Sequence, residues 1–204
     1  MRSWGVLVVV YAGFFSWYTS FGGPLTDDEI NGYLEVLREA GASDERLAAW
    51  QRFMASDTGD DFVMLNAIAL REVPLPAPGV ELGESSAAVL ARYTEPFLGA
   101  ALKSAAHPVM FGTAAGPAMD VWGIQGAEEW TNGGLVRYRS RRDLMEQVAF
   151  ASSLAIHEYK IAAMEKTIAY PLDPWWQLGD PRLLLGLTFV IIGLALQLRR
   201  AGSR

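Results

Sequence analysis

Four arginines within six residues, Arg137, Arg139, Arg141 and Arg142, form the one basic cluster in a chain whose net charge is −6. If this segment is a strand, Arg137 and Arg139 share a face with Leu135, while Val136 and Tyr138 take the other. Two guanidinium forks on one face can hold a carboxylate bidentately, so both are candidate ligand-binding residues for a small anion. The competing reading is structural: ion pairs to Glu128, Glu129, Asp143 or Glu146 that fix a strand–helix corner. His157 and Lys160 lie about one helical turn apart, with Glu158 and Glu165 close in sequence. Histidine titrates near neutral pH, which makes His157 the candidate catalytic base. Lys160 is a candidate anion contact that can also depress the pKa of that histidine. The plainer alternative for His157 is a surface or capping role. Asn66 interrupts an apolar run, and its amide needs a partner in the core or in a cleft. It completes the candidate ligand-binding set.

Other chemistries lack the residues they need. The chain has no cysteine, which excludes disulfides, thiol nucleophiles and thiolate metal sites. A two-histidine metal centre would require His107 and His157, which stand 50 positions apart without HxxxH or HxH spacing. One axial histidine would suffice for haem, but no other feature is specific to it. Neither a metal nor a cofactor is expected. Glu128 and Glu129 are adjacent and point apart, so they make no shared-proton dyad. The glycines between 112 and 134 give no GxGxxG or P-loop spacing, so nucleotide binding has no support.

The elements that position these residues lie between two uncharged runs, residues 5–15 and 183–198, and all 23 carboxylates fall between Asp27 and Asp180. A spanning helix needs roughly 20 apolar residues. Each run is a little short and gains from flanking aromatics: Trp4, Trp17, Tyr18 and Phe21 at the first, Trp175 and Trp176 at the second. Arg2 precedes the first run, and Arg199, Arg200 and Arg204 follow the second, against Arg182 alone on the inner flank. The positive-inside rule then puts both termini in the cytoplasm of a bacterial inner membrane and the central domain in the periplasm. The alternative for the first run is a cleaved signal peptide, although bulky residues stand where a peptidase wants small ones. Between the spans, 23 acids face 12 bases, a net of −11, which disfavours nucleic acid as a partner. Gly186, Gly193 and Ala195 make a small-residue stripe on the second span that suits close helix contact.

Within the middle, Thr26 and Glu29 read as a capping box opening a helix with an apolar stripe at Ile30, Tyr33, Leu34 and Leu37. Ser43 opens a second helix, which completes a hairpin. Residues 62–70 form an apolar run bounded by turn residues, as in a strand buried on both faces. A helix from about Ser85, interrupted at Pro96, a strand at 107–113 and a strand at 134–139 follow. Ser140 then caps a helix to about 149, a second helical stretch covers 156–164, and a last strand spans 166–170. The order from Phe62 is β-α-β-β-α-β, the ferredoxin-like split βαβ. The expected fold is therefore α+β, in four parts: a transmembrane helix (1–21), a helical hairpin (22–59), a ferredoxin-like domain (60–174), and a second transmembrane helix with a basic tail (175–204). One sheet face is left bare, and a second copy of the domain is its cheapest cover.

Several stretches resemble a bacterial family catalogued as domain of unknown function 1330, of the dimeric α/β-barrel superfamily. They are Phe62-Val63-Met64-Leu65-Asn66, Ala91-Arg92-Tyr93 with Pro96-Phe97-Leu98, the segment from Val136 to Asp143, and Glu165-Lys166-Thr167 with Ala169 and Pro171. The resemblance covers about half the chain, roughly residues 60–172, and implies a fold and a tendency to dimerise, with no activity attached. Three functions remain open. One is a membrane-anchored binding or assembly module. Another is a cofactor-independent isomerase- or monooxygenase-type enzyme acting on a small apolar anion. The last is an accessory subunit of a larger membrane complex. Enzyme and module separate on geometry: the enzyme needs Arg137 or Arg139 and His157 around one pocket.

Overall fold

The computed structural model describes residues 2–202, with side chains from residue 4; the Arg2 side chain and Arg204, used above for orientation, lie outside the described residues. The fold is mixed α+β, a four-stranded antiparallel sheet with seven helices among the described residues. In chain order these are α1 (Arg2–Tyr18), α2 (Asp27–Glu39), α3 (Asp44–Ala55), β1 (Phe62–Leu70), α4 (Ser86–Ala101), β2 (His107–Thr113), β3 (Asn132–Tyr138), α5 (Arg141–Ser153), α6 (His157–Ala163), β4 (Met164–Leu172) and α7 (Pro181–Gly202).

The caps act where their residues predict. Thr26 accepts from the Glu29 amide while Glu29 reaches back to the Thr26 amide, and Ser43, Ser85 and Ser140 each accept from an amide three residues on. Pro96 behaves differently from the expected interruption: α4 runs through it as one helix to Ala101. The missing N–H and ring clash cost about 3 kcal/mol. Burial of Phe97 and Ala101 in the next turn offsets that cost.

The sheet order is β2-β3-β1-β4, with every neighbouring pair antiparallel. Phe62 and Tyr138 stack at 5.3 Å on its helix-facing side, where Phe97, Leu144 and Ala151 close over them. A second cluster joins α2, α3 and α5 through Ile30, Leu37, Leu47, Met54 and Met145. The hairpin α2–α3 thus continues the domain core.

The opposite sheet face is mostly open. Leu65 stands between Tyr170 and Leu135 there, Ala67 beside Ile168, and Met110 beside Leu135. Ile168, Tyr170 and Met110 are 36%, 45% and 60% exposed, which is a large apolar share for a sheet interior.

α7 is long and apolar enough to cross a membrane, and it is the one described helix that meets that length. At 1.5 Å per residue its 22 residues reach about 33 Å, and the 17 of α1 about 26 Å. Two transmembrane helices are therefore not established; α1 is a shorter apolar helix packed antiparallel on α7. The glycine stripe is used inside the chain: the Tyr11 ring lies over Gly186 and the Trp4 ring over Gly193. The Tyr11 hydroxyl also donates to the Arg182 carbonyl at 3.1 Å.

Candidate functional site

The arginine cluster lies where the domain meets α1. Four backbone carbonyls at the end of any helix lack partners within it, and α1 carries no basic residue in its last turn. Arginines 119 to 122 positions away supply the donors. Arg137 donates to the Tyr18 carbonyl at 2.8 Å and Arg139 to the Trp17 carbonyl at 3.1 Å. This is the favoured placement of cations at a helix C-terminus, achieved here across the fold.

Arg137 is 1% exposed. Its Nε and Nη2 both donate to Asp61, at 3.0 and 2.8 Å, its Nη1 donates to the Ala105 carbonyl, and its Cζ lies 3.6 Å from the Tyr18 ring centre. Arg182, at the start of α7, shares the same Asp61 oxygen at 2.9 Å and grips Asp180. The Tyr18 hydroxyl sits 2.7 Å from His107 Nε2, and the Trp17 indole donates to the Lys103 carbonyl.

The remaining arginines extend this joint. Arg139 forks onto Asp143, whose pull raises the guanidinium pKa further. Arg142 forks onto Glu29 and reaches the Gly23 and Pro24 carbonyls. Hydrogen bonds from Arg142 and the Thr26 amide hold the Glu29 carboxyl at a pKa of about 2. Arg141 donates to the Phe53 carbonyl and to Ser56 and lies near Asp57. Arg137 and Arg139, read from the sequence as anion contacts, have their forks filled by Asp61 and Asp143. Of the carboxylates the sequence offered as structural partners, Asp143 is used. Glu128, Glu129 and Glu146 make no ion pair with these arginines; the carboxylates that do, Asp61, Asp57 and Glu29, lie too far along the chain for spacing to suggest them.

His157 and Lys160 come together elsewhere, in an open cleft of about 700 Å³ between α3, α6 and the edge strand β4. Trp50, Phe53, Met64, Ile161 and Met164 line it, along with Arg46 and Arg71. Packing lowers the His157 pKa, with help from the Lys160 and Arg46 charges, while its ring stands 6.1 Å from Tyr93. Burial also lowers the Lys160 pKa, and Arg46 adds to the shift. Asn66 remains outside this cleft, its amide donating to the Met64 carbonyl of its own strand at 3.1 Å. The cleft therefore unites His157 and Lys160 but not Arg137, Arg139 or Asn66. Sequence reasoning missed Arg46 and Arg71, which no motif links to α6. Among the described residues, no group of three or more His, Asp or Glu is placed to hold a metal ion.

No family model and no curated protein matches the chain. Among solved structures it is similar to the RPA0582 protein of Rhodopseudomonas palustris, a protein of unknown function, at 20% identity and a TM-score of 0.53, over 68% of this chain and 98% of that one. The methylated RPA0582 protein gives 21% identity and a TM-score of 0.54, over 69% and 97%. At such identities the likeness establishes the α+β fold that the chain shares with these structures, and nothing of its activity.

Proposed function

We propose that the protein is a membrane-anchored assembly module: α1 and α7 hold a ferredoxin-like, α/β-barrel-type domain at the outer surface of a bacterial inner membrane, and its open sheet face pairs with a second copy. The observation that carries this reading is the occupation of the arginine cluster. Arg137 and Arg139 bind the last turn of α1 and Arg142 the segment that joins it to α2, so they act as a joint between anchor and domain. That joint orients the sheet relative to the helix pair and leaves Leu65, Leu135, Ile168 and Tyr170 facing outward. Pairing two such faces would remove this apolar surface from water. The enzyme reading loses its anion clamp once the arginines have internal partners, and the separation of Arg137 from His157 favours the module.

The test is oligomeric state. Native mass spectrometry of the full chain released from detergent micelles should show a dimer, and Ile168→Lys with Tyr170→Lys should convert it to a monomer that keeps its melting temperature. A monomeric wild type, or a dimer indifferent to both lysines, contradicts the proposed interface.

A further inference from the structure

The cleft beside α6 gathers several cations that make no ion pair among the described residues. Seven arginines, at 38, 92, 137, 139, 141, 142 and 182, each meet a carboxylate. Arg46, Arg71 and Lys160 meet none among the described residues, although Glu165 lines the same cleft beside Lys166, so the cations there outnumber the carboxylate four to one. Arg71 Nε is buried with no hydrogen-bond partner. The Lys160 ammonium has the Tyr93 ring at 5.5 Å as its nearest compensation, with the Arg46 charge adding repulsion. Arg71 and Lys160 are half-buried and Arg46 stands exposed at the rim. A cation partly withdrawn from water without a partner destabilises a fold, and an incoming anion would relieve Arg71 and Lys160 within reach of the Arg46 charge.

The walls narrow the kind of anion. Trp50, Phe53, Met64, Ile161 and Met164 form an apolar surface beside the cations, and about 700 Å³ falls in the range of small-molecule sites. A bare inorganic anion would leave that surface wet, and an uncharged hydrocarbon would leave the cations unpaired.

We propose that this cleft binds a small carboxylate with an apolar body, its charge held among Arg46, Arg71 and Lys160 and its body against Trp50, Met64 and Ile161. His157 stands at the same cleft and can hydrogen-bond the bound molecule. The site does not depend on the dimer or on the side of the membrane the domain occupies.

The test uses the full chain in nanodiscs of neutral lipid and calorimetric titration with 2-naphthoate, 2-naphthamide and inorganic phosphate. Naphthoate should bind at least about tenfold tighter than either control, because a charged group contributes more to a hydrogen bond than a neutral one. Lys160→Met should weaken naphthoate about tenfold while leaving the melting temperature unchanged or higher, since it removes a half-buried charge that has no carboxylate partner. Arg46→Gln, on the exposed side of α3, should weaken it severalfold with no change in melting temperature. Equal affinity for naphthoate and naphthamide, phosphate binding as tight as naphthoate, no naphthoate binding, or indifference to Lys160→Met would each overturn the proposal.

Discussion

At 1% exposure, the Arg137 guanidinium must find its partners inside the protein. Asp61, the Ala105 and Tyr18 carbonyls and the Tyr18 ring together supply them. Removing one member of a buried ion pair destabilises by about 3–5 kcal/mol, because the other is left uncompensated. Asp61 retains some solvent contact and a second partner in Arg182, so the lower end of that range applies. Arg137→Met should therefore cost about 3 kcal/mol in urea unfolding of the full chain in detergent. Arg137→Lys should recover little of it, since an ammonium cannot fork onto Asp61 and stack on Tyr18 together. Arg142→Gln, whose pair with Glu29 is far more exposed, should cost less than about 1 kcal/mol. Equal losses at the two positions would mean that burial does not set their importance.

α1 and α7 pack through large-on-small contacts. A Cβ built on Gly193 would lie 2.5 Å from the Trp4 ring, and one on Gly186 3.4 Å from Tyr11. Gly193→Leu should therefore push the two helices apart while leaving α7 apolar. The chain has no native cysteine, so Tyr11→Cys with Gly186→Cys gives a clean bismaleimide crosslink. That crosslink should form in membranes and drop severalfold when Gly193→Leu is added; an unchanged yield would show that the pair does not rest on Trp4 over Gly193. At this scale, local signals were the legible ones. Thr26, Ser43, Ser85 and Ser140 each find a partner three residues away, so the cap and its helix can be read together. Pro96 misleads because a local rule predicts a break while the burial of Phe97, a tertiary fact, keeps α4 whole. The arginine partners were hidden for the same reason: Arg137 reaches Asp61 across 76 positions and Tyr18 across 119. Likewise, the cleft that Arg46 of α3 and Lys160 of α6 both line leaves no trace in spacing.

The whole molecule is organised around one joint. The end of α1 and the start of α7 come together at Tyr18, Asp61, Arg137 and Arg182, and the helices run side by side from there to Trp4 and Gly193. In that arrangement the start of α1 and the end of α7 lie at one end of the helix pair and the domain at the other. Cytoplasmic ends and an exported domain, the topology proposed above from Arg199 and Arg200 beyond the apolar stretch of α7, require this arrangement. Reporter fusions test that claim most directly, with alkaline phosphatase or green fluorescent protein placed after residue 60 and at the C-terminus, alongside N-terminal sequencing. Phosphatase activity at 60, fluorescence at the C-terminus and an intact Met1 are the expected results. Fluorescence from the fusion at 60 would put the domain in the cytoplasm and contradict that topology.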